Sequence, residues 1–182
     1  MIKNYDHIEL LAPAGSYESL HAAINAGCDA VYFGLKGFNM RANTAKPFEI
    51  NDLKKIVEVC KEANVKTYLA LNTLVYDEGI EEMKKKIDAA KKYGVTAIIA
   101  FDLTAINYAR EIGVETHIST QHSISNIEAV KFFSQFADRV VLARELTLEQ
   151  IKHIIDEIRE QDIRGPKGRL VEVEIFIHGA LC

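Results

Sequence analysis

The chain has 182 residues, 22 basic and 26 acidic side chains, a formal net charge of −4 and 48% hydrophobic residues. With 3 prolines and 10 glycines it is neither collagenous nor low-complexity, and no apolar run reaches the roughly 20 residues that span a bilayer. Mild acidity argues against phosphate-driven nucleic-acid binding by this segment alone. The N-terminus lacks an apolar signal core, and three widely spaced cysteines form no disulfide framework, so the expected compartment is the reducing cytoplasm.

In chain order, apolar runs alternate with helical patterns. Residues 8–12 read as a strand stopped by Pro13, and Ser16 caps a helix that ends at Gly27. Residues 30–34 are a second strand, followed by a loop from 35 to 47. Leu53, Ile56, Val57 and Cys60 recur at helical spacing. Strands are then expected at 65–72, 97–102, 116–120, 139–144 and 171–177. Helices fill the intervals at 80–93, 103–112, 126–136 and 147–160. Asn126 caps one of these, and Thr147 with Gln150 forms a capping box for another. The charged run Lys84-Lys85-Lys86 reads as a solvated helix face.

Strand-helix alternation implies parallel strands and βαβ crossovers. A repeat of roughly 25 residues, with no G-x-G-x-x-G after the first strand, favours an α/β, TIM-type barrel over a dinucleotide-binding sheet. With about seven parallel strands the barrel is incomplete. Residues 1–182 are therefore expected to be the N-terminal part of a longer barrel domain, with open edges that invite a homodimer.

Barrel chemistry sits at the C-terminal ends of strands. That rule selects Asn72, Ser119-Thr120-Gln121-His122, Arg144, Glu145, His178 and Cys182, with Arg41 in the long loop after the second strand, and Asn72, His117, Gln121, Arg144 and His178 are expected to converge at one mouth of the sheet. His117, Ser119 and Gln121 alternate and so share one strand face. A polar face inside a barrel must find partners or a ligand. Asn72 is read as either a helix cap or a site residue, and Asp102 and Asn126 as helix caps. Glu172 and Glu174 alternate too, with no face assigned. Cys28 and Cys60 read as small buried hydrophobes, whereas Cys182, at a strand end near His178, is a candidate for thiolate chemistry or metal ligation. No G-x-S-x-G elbow or H-E-x-x-H helix is visible.

The segment Glu174-Ile175-Phe176-Ile177-His178-Gly179-Ala180-Leu181-Cys182 resembles the first half of the signature of peptidase family U32, the collagenase-like proteases. The opening Glu9-Leu10-Leu11-Ala12-Pro13-Ala14-Gly15-Ser16 is similar to that family's first strand and turn. Asp29 to Gly34, Asn72-Thr73, His117 to Gln121 and Arg139 to Leu146 match in order, so the resemblance covers essentially the whole chain. It implies one of two activities for the full-length protein. The first is iron-sulfur-dependent, prephenate-linked C5 hydroxylation of a tRNA uridine; the Arg-Glu-Leu and His-Gly-Ala-Leu-Cys wording looks most like that branch. The second is collagenase-like proteolysis of a peptide substrate. A non-catalytic accessory subunit is a third reading. The resemblance also implies a 4Fe-4S cluster with Cys182 as its first ligand, the other cysteines lying in a cluster-binding region absent from these 182 residues. No cluster is expected on this segment alone.

Overall fold

A computed structural model describes residues 8–38 and 47–178. Seven strands form one parallel sheet in sequential order: β1 (Leu11–Pro13), β2 (Ala30–Gly34), β3 (Lys66–Leu71), β4 (Ala97–Ala100), β5 (Thr116–Ile118), β6 (Arg139–Val141) and β7 (Glu172–Glu174). Between them run α1 (Tyr17–Asn25), α2 (Leu53–Glu62), α3 (Ile80–Tyr93), α4 (Leu103–Glu111), α5 (Ile127–Ser134) and α6 (Leu148–Glu160). The expected alternation is present, with each helix beginning near its predicted start. Ser16 and Ser19 form the first capping box, and Thr147 and Gln150 form another. The carboxamide oxygen of Asn126 accepts from the Ala129 amide. Gly94 closes α3 at φ +80°, a left-handed conformation that side chains rarely adopt.

Two apolar layers follow from the period-2 alternation of the strands. Val31, Phe33, Leu69, Leu71, Ile98, Ile118 and Val140 face the helices, where Leu20, Ile56, Met83, Ile87, Ile106, Ile154 and Ile158 cover them. Cys28 and Cys60 are buried in this outer layer, as the sequence suggested. The opposite faces of the strands carry a smaller cluster of Ala30, Tyr68, Ala97 and Ile99 with Leu11 and Tyr32. This inner face curls. Glu9, which precedes β1, reaches Arg139 of β6 with an Nη1–Oε1 distance of 2.6 Å. Among the described residues β1 and β7 do not pair with each other, so the sheet is a curled half-barrel.

Three local expectations change. Pro13 belongs to β1 rather than stopping it. The Ala14 amide donates to Tyr32 O on β2, so alternation turns the nitrogen of residue 13 toward the outer edge, where a missing N–H costs nothing in the ladder. The final strand is short, Glu172–Glu174, and the chain from Ile175 to His178 is irregular. Lys86 is not on a solvated face. It is 3% exposed, its Nζ donates to Lys36 O at 2.6 Å and to Glu82 Oε1 at 2.8 Å, and it lies over the Phe38 ring. Its helix turns this lysine inward, and its long stem lets the ammonium reach those acceptors.

Candidate functional site

Parallel strands give the half-barrel two chemically different ends. At the N-terminal end, inside the curl, Arg139 is the centre of a polar network. Its Nη1 donates to Glu9 Oε1 at 2.6 Å and its Nε to Glu172 Oε2 at 2.9 Å, while its guanidinium lies over the Tyr68 ring. Glu9 also accepts from Tyr68 Oη and Lys66 Nζ, each at 2.6 Å. Burial alone would raise the Glu9 carboxyl, but the bonds from Arg139, Lys66 and Tyr68 outweigh it and hold the group down at about 2. Burial and the adjacent Glu9 push the Tyr68 hydroxyl up.

Glu174 is the weak member of this network. Its Oε2 is buried without a hydrogen-bond partner among the described residues and lies 3.8 Å from Arg139 Nη1. Burial, reinforced by Glu9 and opposed by Arg139, raises its carboxyl to about 7. Glu172 and Glu174, unassigned in the sequence, both line this interior in register with Arg139 and Val141.

His117 belongs to this interior layer and not to the mouth where the strand-end rule put it. It lies within β5, 1% exposed, edge-on to Tyr68 with ring centroids 4.6 Å apart. Its Nε2 is 3.6 Å from Glu115 Oε1, and its Nδ1 has no hydrogen-bond partner among the described residues. Burial dominates over the nearby Glu115 carboxylate and lowers its basicity, which favours the neutral ring. The cause is strand length: β5 ends at Ile118, and only residues beyond it reach the mouth.

Ser119 begins the turn at the C-terminal end of β5. It is 1% exposed, and its hydroxyl accepts from the Gln121 amide. Its packing alongside a capping bond explains this serine without a catalytic role. Gln121 itself is exposed. Asn72, Arg144, Glu145 and His178 follow β3, β6 and β7, so parallel order places them with Gln121 at the same end of the sheet. Arg41 and Cys182 lie outside the described residues.

Sequence reasoning missed three contacts at the mouth. The His122 Nε2–H donates to Phe101 O at 2.7 Å, and its ring packs between Phe101 and Phe133. Asp102 caps α4 through Thr104, as the sequence suggested, but it also accepts from the Val75 amide, which ties the loop after β3 to α4. Phe176 lies under the Arg144 guanidinium at 5.3 Å and helps to line a cavity of about 280 Å³ with Ile177 and His178. In the sequence Phe176 falls inside the expected strand 171–177, and only the early end of the observed strand at Glu174 puts it at the mouth. A larger cavity of about 570 Å³ lies beside Leu35, Gly37 and Lys86, but the ammonium of Lys86 is already satisfied there.

No group of three or more His, Cys, Asp or Glu residues suited to a metal occurs among the described residues. The two described cysteines are buried in the outer layer, and burial raises both thiols, Cys60 to about 11. They do not fit a cluster at the mouth. No helix among the described residues is long and apolar enough to cross a membrane.

The model of the U32 peptidase family matches residues 15–182. The chain belongs to peptidase family U32. Among curated U32 relatives, a protein named collagenase from Porphyromonas gingivalis is 55% identical over 98% of this chain and 43% of its own length. A tRNA hydroxylation protein from Bacillus subtilis is 36% identical over 96% of this chain and 39% of its own. The Escherichia coli 23S rRNA 5-hydroxycytidine synthase is 34% identical over 96% of this chain and 25% of its own. This chain therefore spans less than half the length of these U32 relatives. The solved structure of a U32 peptidase superposes with a TM-score of 0.68 at 14% identity, covering 92% of this chain and 66% of that one. The tryptophan synthase α subunit of Legionella pneumophila superposes at 0.58, with 16% identity, 94% of this chain and 73% of that one. Both show the TIM-like fold of this U32 chain.

Proposed function

We propose that this chain is the N-terminal barrel segment of a U32 protein that hydroxylates a tRNA uridine at C5. The observation that carries the reading is the mouth chemistry. Among the described residues, the histidine and serine of β5 and its turn form no nucleophile–base pair: His117 is buried against Tyr68, and the Ser119 hydroxyl caps a turn. What the mouth offers instead is a guanidinium at Arg144, an imidazole at His178 and an amide at Asn72. These groups bind and orient carbonyl, phosphate or carboxylate oxygens. Relatives named for tRNA and rRNA hydroxylation, similar over nearly the whole chain, support the same direction. In this reading Cys182 supplies one thiolate to a 4Fe-4S cluster, and the other ligands come from sequence beyond these 182 residues. The cluster supplies the redox chemistry. The residues described here bind and position the base.

Proteolysis is the second reading, favoured by 55% identity to a protein named collagenase. Deleting the gene and analysing tRNA nucleosides by mass spectrometry separates the two. Loss of a uridine carrying one added oxygen, restored by the wild-type gene and not by Arg144→Ala, is the expected result. Unchanged tRNA together with cleavage of collagen by the purified full gene product overturns the proposal.

A further inference from the structure

We infer, on the RNA reading above, that His122 sorts uracil from cytosine: its Nδ1 accepts the N3–H of the base held at the mouth. His122 closes the short helical turn after β5, Thr120–His122, at the C-terminal end of the sheet. Its Nε2 lies 2.7 Å from the carbonyl oxygen of Phe101, the first residue beyond β4. A carbonyl oxygen only accepts, so Nε2 carries the hydrogen and the bond fixes the tautomer. Two aromatic rings hold the imidazole, Phe101 at 4.8 Å and Phe133 at 4.5 Å between centroids. With a backbone carbonyl at one edge and these rings packed against it, the imidazole has little freedom to turn over.

Nδ1 is left as a bare acceptor. Burial lowers the basicity of the ring, opposed by the bond to Phe101, which favours the neutral form. In a neutral imidazole with its hydrogen on Nε2, Nδ1 carries a lone pair and no hydrogen. This atom makes no hydrogen bond among the described residues, and it is not one of the buried polar atoms cut off from solvent. His117 is the contrast, since its unpartnered Nδ1 is sealed inside the barrel. A fixed acceptor discriminates by sign. Uracil carries a hydrogen on N3 and donates to it, whereas cytosine places a bare lone pair at the same position and is repelled. A serine hydroxyl there would turn to suit either base, and an arginine would only donate. Unpaired RNA bases are read at their Watson–Crick edges in this manner.

Equilibrium dialysis on the full gene product tests this with the monophosphates of uridine, 2′-deoxyuridine, 3-methyluridine and cytidine. The wild type should bind the first two alike, each about tenfold tighter than the last two, the worth of about one hydrogen bond. His122→Phe keeps a ring between Phe101 and Phe133 but offers no acceptor, so it should bind all four alike. His122→Asn puts an amide near the Nδ1 position that turns to present either group, so it should keep uridine binding and lose the preference over cytidine. A merely structural role would not move the two variants apart in this way. A wild type that does not distinguish uridine from cytidine monophosphate, or binds neither at millimolar concentration, overturns the inference, as does a preference that survives in His122→Phe. Uridine bound more tightly than 2′-deoxyuridine hands the acceptor to the ribose hydroxyl and overturns it too. A parallel tRNA assay separates the two claims. Hydroxylation by His122→Phe as selective for uridine as the wild type removes this role and leaves the function standing. A uridine preference lost in His122→Phe, with no hydroxylation by the wild type, does the reverse.

Discussion

The two ends of the half-barrel differ in how their polar groups are satisfied. At the N-terminal end, Arg139, Glu9, Tyr68, Lys66 and Glu172 are bound to one another in a partly buried network. At the mouth, Gln121, Glu145 and His178 are exposed, and Phe176 and Ile177 stand in water. The Arg139 network pairs most of its own groups, with Glu174 the exception among the described residues, so its main effect is on stability. Exposed groups contribute little to stability and are available for binding. The contrast makes each end separately breakable.

Arg139→Met should have the largest effect. It leaves Glu9 and Glu172 without their central cation, and removing one partner of a buried ion pair costs about 3–5 kcal/mol. A melting temperature unchanged by this substitution would mean that the network does not hold the curl together. Next is Gly165→Ala, in the turn before β7. An added Cβ would lie 2.7 Å from the Asp138 Cα and 2.9 Å from Ala137 O, both backbone atoms that cannot yield. Overpacking of this kind costs about 2 kcal/mol, measurable by urea unfolding.

A pH titration sharpens the comparison. The Glu174 carboxyl is raised to about 7 from an ordinary 4.5. Its penalty is therefore absent below pH 4.5, grows as pH rises through 7 and is complete above it. Glu9, held at about 2, has the opposite sign: its stabilisation is present above pH 4.5 and fades as pH falls toward 2. Wild-type stability should therefore peak near pH 5. Glu174→Gln should gain about 3 kcal/mol over wild type at pH 8 and nothing at pH 4. Equal differences at both pH values would remove Glu174 from the buried network.

The smallest effect belongs to the mouth. Arg144→Ala should change unfolding free energy by less than about 0.5 kcal/mol while abolishing tRNA hydroxylation. A melting shift as large as that of Arg139→Met would erase the distinction between the two ends.

Much of this architecture was legible because strand and helix signals are local. The apolar run 97–100, the Thr147–Gln150 box and the Gly94 stop each specify structure within a few residues. Depth along the barrel was not legible. His117 and Gln121 read alike in a string, since a polar residue on an alternating face can meet either water or a buried partner. Which one depends on where β5 ends, and on Tyr68 and Glu115 lying beside it. Glu172 and Glu174 were opaque for the same reason: their counter-ion Arg139 is supplied by a neighbouring strand more than 30 positions away.

Pro13 carries a consequence for self-association. On the outer edge of β1 the outward-pointing residues are Leu11 and Pro13, and only Leu11 can donate a backbone hydrogen bond. A copy of the same sheet arriving at that edge would find half the donors of an ordinary strand, which is how proline blunts copy-on-copy templating into cross-β aggregates. The edge can still accept a strand whose register leaves the carbonyl opposite residue 13 facing water or a side-chain donor. Pro13 thus acts as a register filter: it admits a fitted neighbour and discourages indiscriminate stacking.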